Sequence, residues 1–420
     1  LGGEYANPAQ GTGIPEQTRK PESSIVRARL DHYFSGGSQL YLQGFYSRQL
    51  LFERDGDEYA THQDGRTQDL EFQHMIPFEL LGAHQLIYGG GYRWVELRHE
   101  ILKDNSYFYS VANGFIHDEW RFLPEWRLNA GVKWEHVSSI DPTWQWRLAL
   151  LYYLAPGHVL RVSAANSYRS PTVLENYQEI VVGLPAGMGF LIPFWPPGEP
   201  YEIFRLEGND SLKPEQLRAY EIEYRGLWFN RVYCDLSYAF HQYDNLIAQY
   251  ESDPGFYINL PPPMGPFGVR YDFVNEGKAT SHTVEAGLDA RLSRELQAKL
   301  NYGYVDIIMD SKYDDLEDLE KNQSRHFGHA GLFYADDAGF AADLNAYFLG
   351  AIPAYNNQEG RDEYWRLDLR VAKTFKGRDG DLEIGAVGQN LGQEWHQETG
   401  STNAPPIRRA YYGYVEYRMK

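Results

Sequence analysis

The feature that most constrains this chain is a period of two that runs through nearly all of it. Val284, Ala286, Leu288, Ala290 and Leu292 alternate with Glu285, Gly287, Asp289 and Arg291. Trp144, Trp146, Leu148, Leu150, Tyr152 and Leu154 are interleaved with Gln145 and Arg147. Val232, Cys234, Leu236, Tyr238 and Phe240 alternate with Asp235, Ser237 and His241, and Trp365, Leu367, Leu369 and Val371 with Arg366, Asp368 and Arg370. Strict alternation describes a strand with one apolar and one polar face, and no long amphipathic helix stands out beside it. About seventeen such segments are expected, at 24–34, 38–53, 66–79, 84–100, 107–122, 126–137, 143–155, 158–169, 215–229, 231–250, 269–293, 295–308, 323–335, 340–350, 363–376, 382–393 and 407–420. Most run to roughly 10–16 residues, against the five or six usual in soluble sheets. A tilted strand crossing a bilayer needs about 9–11.

The connections alternate in length. Short ones fall at 35–38, 80–83, 123–125, 155–157, 230, 293–294, 336–339 and 377–381. Long ones fall at 55–64, 103–106, 170–214, 251–268, 310–322, 351–362 and 393–406, with 138–142 a short member of that set. Tight turns at one end and long loops at the other are the layout of an outer-membrane barrel, and a soluble sandwich has no reason for it. Aromatics, 15% of the chain, suit interfacial girdles at strand ends, with Trp126, Trp144, Trp146, Trp228, Phe229, Tyr412 and Tyr414 as the expected members. The uncharged stretch 180–198 is long enough to raise a spanning helix, but Pro185, Pro193, Pro196 and Pro197 and three glycines break it into a loop.

Composition closes other routes. A net charge of -19, from 39 Lys and Arg against 58 Asp and Glu, argues against nucleic acid as a partner. A single cysteine, Cys234, excludes an internal disulfide framework and a cysteine-based zinc site. With the last strand ending in the periplasm, every short turn falls on the periplasmic side, every long loop outside, and 1–23 outside. Complete bacterial barrels have an even strand count and both ends in the periplasm. Seventeen strands therefore read as the C-terminal part of a larger barrel, one partial barrel domain over 1–420.

Motifs in order along the chain carry a resemblance. Tyr168-Arg169-Ser170-Pro171-Thr172 is followed by Glu175. Asn209-Asp210-Ser211-Leu212-Lys213-Pro214-Glu215 leads to Tyr220-Glu221 and Tyr224-Arg225. Asn275-Glu276-Gly277-Lys278-Ala279 precedes Val284-Glu285, Gln389-Asn390-Leu391 stands near the last hairpin, and His117-Asp118-Glu119-Trp120 lies upstream. Together they resemble the TonB-dependent outer-membrane receptors, from about residue 24 to the end. Departures are Thr283 for a usual Gly, Gly392 for a usual Phe, and an end of Tyr417-Arg418-Met419-Lys420 for a final Phe. The resemblance implies an all-β, transmembrane antiparallel barrel of twenty-two strands, with about five strands and an N-terminal plug domain outside this sequence. It implies a receptor in the bacterial outer membrane that takes up a scarce solute (siderophore-iron, cobalamin or similar) in partnership with TonB-ExbB-ExbD and membrane lipid. No enzyme activity and no cofactor are expected. The alternative reading is a passive diffusion porin of sixteen to eighteen strands.

The motif residues read as structural. Pro171 ends strand pairing where the chain leaves the sheet, and Pro214 does the same where it returns. Glu221, Glu223 and Arg225, like Glu285, Asp289 and Arg291, should face the lumen and a plug, because Lys or Arg toward lipid costs about 2–4 kcal/mol at midplane. Ligand contact is expected in the outer loops, from Phe190, Phe194, Trp195, Tyr201, Phe204 and Arg205 in one and Tyr250, Phe256, Tyr257 and Phe267 in another. The acidic run Asp310, Asp314, Asp315, Glu317, Asp318 and Glu320 lacks a calcium-loop frame and reads as solvated loop. His326 and His329 should point to opposite faces and share no metal. His117, Asp118 and Glu119 alternate faces and cannot form one acid–base cluster. Neither a phosphate-loop glycine pattern nor Gly-x-Ser-x-Gly occurs. Cys234 reads as a small apolar filler.

Overall fold

The computed structural model describes residues 5–6, 18–55, 58–184, 201–252, 258–259, 266–267, 269–311, 320–321, 323–353, 360–396 and 406–419. Seventeen long strands follow one another. They are β1 (Thr18–Tyr33), β2 (Gln39–Asp55), β3 (Glu58–Glu79), β4 (Ala83–His99), β5 (Ser106–Leu123), β6 (Trp126–Val137), β7 (Thr143–Ala155), β8 (His158–Arg169) and β9 (Glu215–Trp228). There follow β10 (Val232–Glu251), β11 (Val269–Arg291), β12 (Leu296–Asp310), β13 (His326–Ala335), β14 (Phe340–Leu349), β15 (Tyr364–Lys376), β16 (Gly380–Gln389) and β17 (Ala410–Met419). Each pairs antiparallel with the next from β1 to β17. Among the described residues β1 and β17 do not pair with each other, so the sheet is an unclosed meander with two edges.

The register keeps apolar beside apolar. Leu150 lies opposite Val162, Val162 opposite Ile222, Ile222 opposite Tyr238 and Tyr238 opposite Val284. On this face Leu148, Leu150, Val162, Ile222, Leu236 and Leu300 are all exposed, the inverse of a soluble protein, where such side chains would be covered. Polar side chains pair on the other face. Trp144, Trp146 and Trp228 sit on the apolar face near strand ends, and Trp126 stacks on Tyr152 at 4.4 Å.

Turn chemistry fixes the short end. Gly82, at φ +126, could not carry a side chain, since a Cβ would lie 2.3 Å from the Arg121 carbonyl oxygen. Phe229 and Asn230 both adopt positive φ in the three-residue connection between β9 and β10, where the Arg231 N–H donates back to the Trp228 carbonyl at 3.0 Å.

Several expectations are corrected. The loop expected at 55–64 is mostly strand, because β2 and β3 stay paired out to Asp55 and Glu58. Asp64 there accepts from Arg48 at 2.9 Å and Arg66 at 2.8 Å, so the charged ends still find partners within the sheet. β1 begins at Thr18, ahead of the expected 24. β16 ends at Gln389, short of the expected 393, because Asn390 turns to φ +55 and its N–H leaves the ladder for Asp368. The stretch 170–214 is not wholly irregular. It holds a short helix, α1 (Val173–Tyr177), and a hairpin of Glu179–Leu184 with Tyr201–Glu207, which lies parallel to the start of β11. Tyr414, expected in a girdle, faces the polar side, where its hydroxyl accepts from Arg370 at 2.7 Å and donates to Glu383 at 2.7 Å. Tyr412, two residues away, lies on that same face.

Candidate functional site

Three of the recognisable motifs, around Arg169, Asn209–Glu215 and Asn275, converge at the long-loop end, where they hold the feet of the largest loop. Arg169, the last residue of β8, grips two carboxylates with its planar fork. Glu215 lies at 2.6 and 2.8 Å, and Glu175 at 3.0 Å through two nitrogens. Such bidentate contacts fix geometry as well as charge. Thr172 and Glu175 form a capping box at the start of α1, with Glu175 N–H donating to Thr172 Oγ1 at 3.1 Å and Thr172 N–H to Glu175 at 2.7 Å. Burial alone would raise the Glu175 carboxyl, but the Arg169 guanidinium and the Thr172 N–H outweigh it and hold the group below the usual carboxylate range. Glu215 also accepts from the Ile247 N–H at 2.8 Å, which ties in β10.

The asparagines complete the tie. Asn275 accepts from Lys213 N–H at 2.7 Å and donates to the carbonyls of Lys213 at 2.9 Å and Asn245 at 2.8 Å. Asn245, at φ +58, sits in the bulge that shifts the β10–β11 register. Asn209 donates to the Phe273 carbonyl at 2.9 Å. Arg169, Glu175, Asn209, Glu215 and Asn275 thus satisfy backbone or charge left over where strands end. Tyr177 stacks on Tyr107 at 4.0 Å between ring centres. Burial, then the hydrogen bond with Tyr107, push its hydroxyl up to about 12.

Sequence-named residues divide as follows. Phe190, Phe194, Trp195, Phe256 and Tyr257 lie outside the described residues, as do the side chains of Tyr201 and Phe267. Phe204 packs against Tyr271 at 5.9 Å, and Arg205 is engaged by Glu179 at 3.2 Å and Glu207 at 3.4 Å, so both build the hairpin wall. Tyr250 lies in β10 opposite Asp272. On the polar face Arg161 bridges Glu221 and Glu223, at 3.0 Å each, and Arg225 pairs with Glu223. Asp289 meets Lys299 at 3.4 Å, while Glu285 and Arg291 lie opposite Gly303 and Gln297. Sequence reasoning did not single out the cluster of Arg370 with Asp343 at 2.9 Å, Glu383 at 2.5 Å and Tyr414. Its members come from four strands, and only alternation hinted at their shared face.

His326 reaches the Tyr302 hydroxyl at 2.8 Å and His329 reaches Asn345 at 2.9 Å, on opposite faces. Asp118 pairs with His84 at 2.7 Å on the face away from Glu119, which meets Arg127 at 3.2 Å. Asp314, Asp315, Glu317 and Asp318 lie outside the described residues, and Glu320 accepts from the Met309 N–H at 2.9 Å. Among the described residues no three His, Cys, Asp or Glu side chains are grouped to hold a metal. Cys234 accepts from the Trp228 indole at 3.2 Å on the apolar face.

The family described as TonB dependent receptor-like, beta-barrel, matches residues 3–391. No curated protein sequence matches the chain. Solved structures with the same fold include the siderophore receptor PirA from Pseudomonas aeruginosa, at 15% identity and a TM-score of 0.69 over 96% of this chain and 65% of that one. PirA from Acinetobacter baumannii gives 15% and 0.70 over 96% and 63%. The alcaligin outer-membrane receptor FauA from Bordetella pertussis gives 11% and 0.61 over 97% and 62%. The chain therefore spans somewhat under two thirds of the length of these structures.

Proposed function

The chain belongs to the TonB-dependent receptor β-barrel family, and from that premise we propose that it is the wall of a ligand-gated outer-membrane transporter. Its place is the bacterial outer membrane. The proposed cargo is a scarce solute, with a metal chelate such as siderophore-bound iron as the leading class, since the structural neighbours include siderophore receptors. In this reading the solute binds at the long-loop rim, the polar face lines the lumen, and TonB-ExbB-ExbD supplies the force that opens the path. The barrel contributes position and a route, and no bond-making chemistry.

The observation that carries the reading is the family match over most of the chain. It is supported by the rim, where Arg169, Glu175, Glu215, Asn209 and Asn275 anchor the largest loop on the sheet. Binding residues concentrate on loops held by a rigid scaffold. The face division supports the lumen assignment, because the apolar side chains left exposed need lipid and the paired charges need water. The same match weighs against the passive porin.

Uptake by cells carrying this protein tests the proposal. Labelled ferric siderophores should accumulate in iron-starved cells, saturate with concentration, and stop when TonB is deleted or the proton gradient is collapsed. Entry that is unsaturable and indifferent to both treatments would overturn it.

A further inference from the structure

The short connections fall into two arcs. From β1 to β10 they are 34–38, 80–82, 124–125, 156–157 and 229–231, and their charged residues are Glu125 and Arg231. From β11 to β16 they are 292–295, 336–339 and 377–379, with Arg294, Glu295, Asp336, Asp337, Arg378 and Asp379. Fewer connections thus hold three times the charge. Arg294 and Asp337 pair at 2.8 Å between neighbouring connections, with 76% and 81% of their side chains exposed. Lys373 lies opposite Phe340, on the apolar face of β15. Its ammonium reaches the Ala338 carbonyl at 2.7 Å, in the β13–β14 connection, as a long cationic side chain does when it seeks water beyond an apolar surface.

The first arc ends in apolar tips. Leu81 and Phe229 are 83% and 85% exposed, and both hold left-handed backbone, at φ 52 and 53. That conformation suits Gly or Asn, so bulky apolar side chains are held out where smaller residues would fit better. Both tips stand beside the apolar face. The Leu81 carbonyl accepts from the Trp120 indole at 3.2 Å, and the Phe229 ring lies 6.4 Å from that of Trp228. Trp120 shares a cross-strand row with Phe78 and His84, and Trp228 is exposed on the same face. Asp118, an acid on this face, pairs with His84 at 2.7 Å. Phe78 and Trp120 stack on His84 at 4.6 and 5.4 Å and cover the pair.

We propose that the tips around Leu81 and Phe229 are embedded in the periplasmic leaflet of the outer membrane, while those of the second arc stand in periplasmic water. The two parts of the wall then sit at different depths, and the barrel is seated aslant. Lipid is the occupant because these tips continue the apolar face that meets lipid along the strands. A bulky apolar tip in water and an exposed ion pair in lipid are both disfavoured, and a barrel seated level would impose one or the other. The inference rests on the outer-membrane placement and the face assignment, and on neither cargo nor TonB.

The test uses the full-length protein with Cys234→Ser, folded in vesicles of phosphatidylethanolamine and phosphatidylglycerol, with a nitroxide on one introduced cysteine at a time. Leu81→Cys and Phe229→Cys report on the first arc, Asp337→Cys and Asp379→Cys on the second. Heat-modifiable migration shows that each is folded, and Asn230→Cys, in the same connection, stands in for Phe229→Cys should that variant not fold. Collision with oxygen, which concentrates in lipid, is compared with collision with a water-soluble nickel chelate. Oxygen should exceed nickel several-fold at 81 and 229, and nickel should exceed oxygen at 337 and 379. The same quencher dominating at all four positions would overturn the proposal. So would labels at 81 and 229 shielded from both quenchers, the sign of a protein covering them. The readings need neither solute nor proton gradient, so they stand apart from the uptake measurement.

Discussion

Arg169 shows how much a single residue carries at the end of a strand. It neutralises Glu175 on α1 and Glu215 on β9 at once, and Glu215 in turn holds the Ile247 N–H. Arg169→Ala would leave two carboxylates facing each other with backbone groups still attached to them. Hydrogen bonds to charged groups contribute about 1.5–3 kcal/mol each, so this variant should loosen the loop foot well before the strands. Cleavage of 170–214 by added protease should rise several-fold while the urea midpoint of the barrel barely moves. The pH dependence follows from the lowered Glu175 carboxyl. Its stabilisation is complete above the ordinary carboxylate range and is lost as pH falls through the lowered value. Protease sensitivity of this loop should therefore rise on acidification below the ordinary range. Glu175→Gln should be sensitive already at neutral pH and show no such rise. A flat pH response in the unaltered protein would refute this account.

At the scale of the element, each strand has two solvents. Leu150 projects from the exposed apolar face, opposite Val162, while Ser237 lies on the polar face opposite Glu285 and Glu223. Leu150→Arg should cost about 2–4 kcal/mol if the face meets lipid at midplane. Ser237→Lys should cost little or stabilise, because it adds a cation beside two carboxylates. Urea unfolding in lipid vesicles compares the pair, and equal destabilisation would remove the face assignment. Alternation made these faces readable without coordinates. The ends of elements were harder. β2 and β3 run on where a loop was expected, because Arg48, Arg66 and Asp64 satisfy one another across the sheet. β16 stops early because Asn390 takes a left-handed conformation. Both outcomes depend on partners more than a dozen residues away, beyond any local pattern.

For the whole molecule the decisive property is closure. Among the described residues, β1 pairs with β2 and with Tyr5–Ala6, and β17 pairs with β16 alone. In lipid each backbone group without a partner costs several kcal/mol, so an unclosed meander cannot remain in a bilayer. These 420 residues refolded alone should give no heat-modifiable, protease-resistant band in detergent. A compact band of that kind from this chain alone would mean that β1 and β17 do find each other.

Sequence alone determined the number of long strands, their antiparallel succession and which side chains share a face. All three follow from a period of two and from turn residues, and both are local. The motif residues were legible as structural, because a proline at a strand end has one plain consequence for pairing. What only the tertiary structure decided is which charges are compensated. Asp235 and Asp289 look alike along their strands, yet Asp289 meets Lys299 and Asp235 lies over Gly287 with no partner among the described residues. That difference arises from the register between β10, β11 and β12. Register depends on the summed packing and hydrogen bonding of whole strands, and no single segment of sequence contains it.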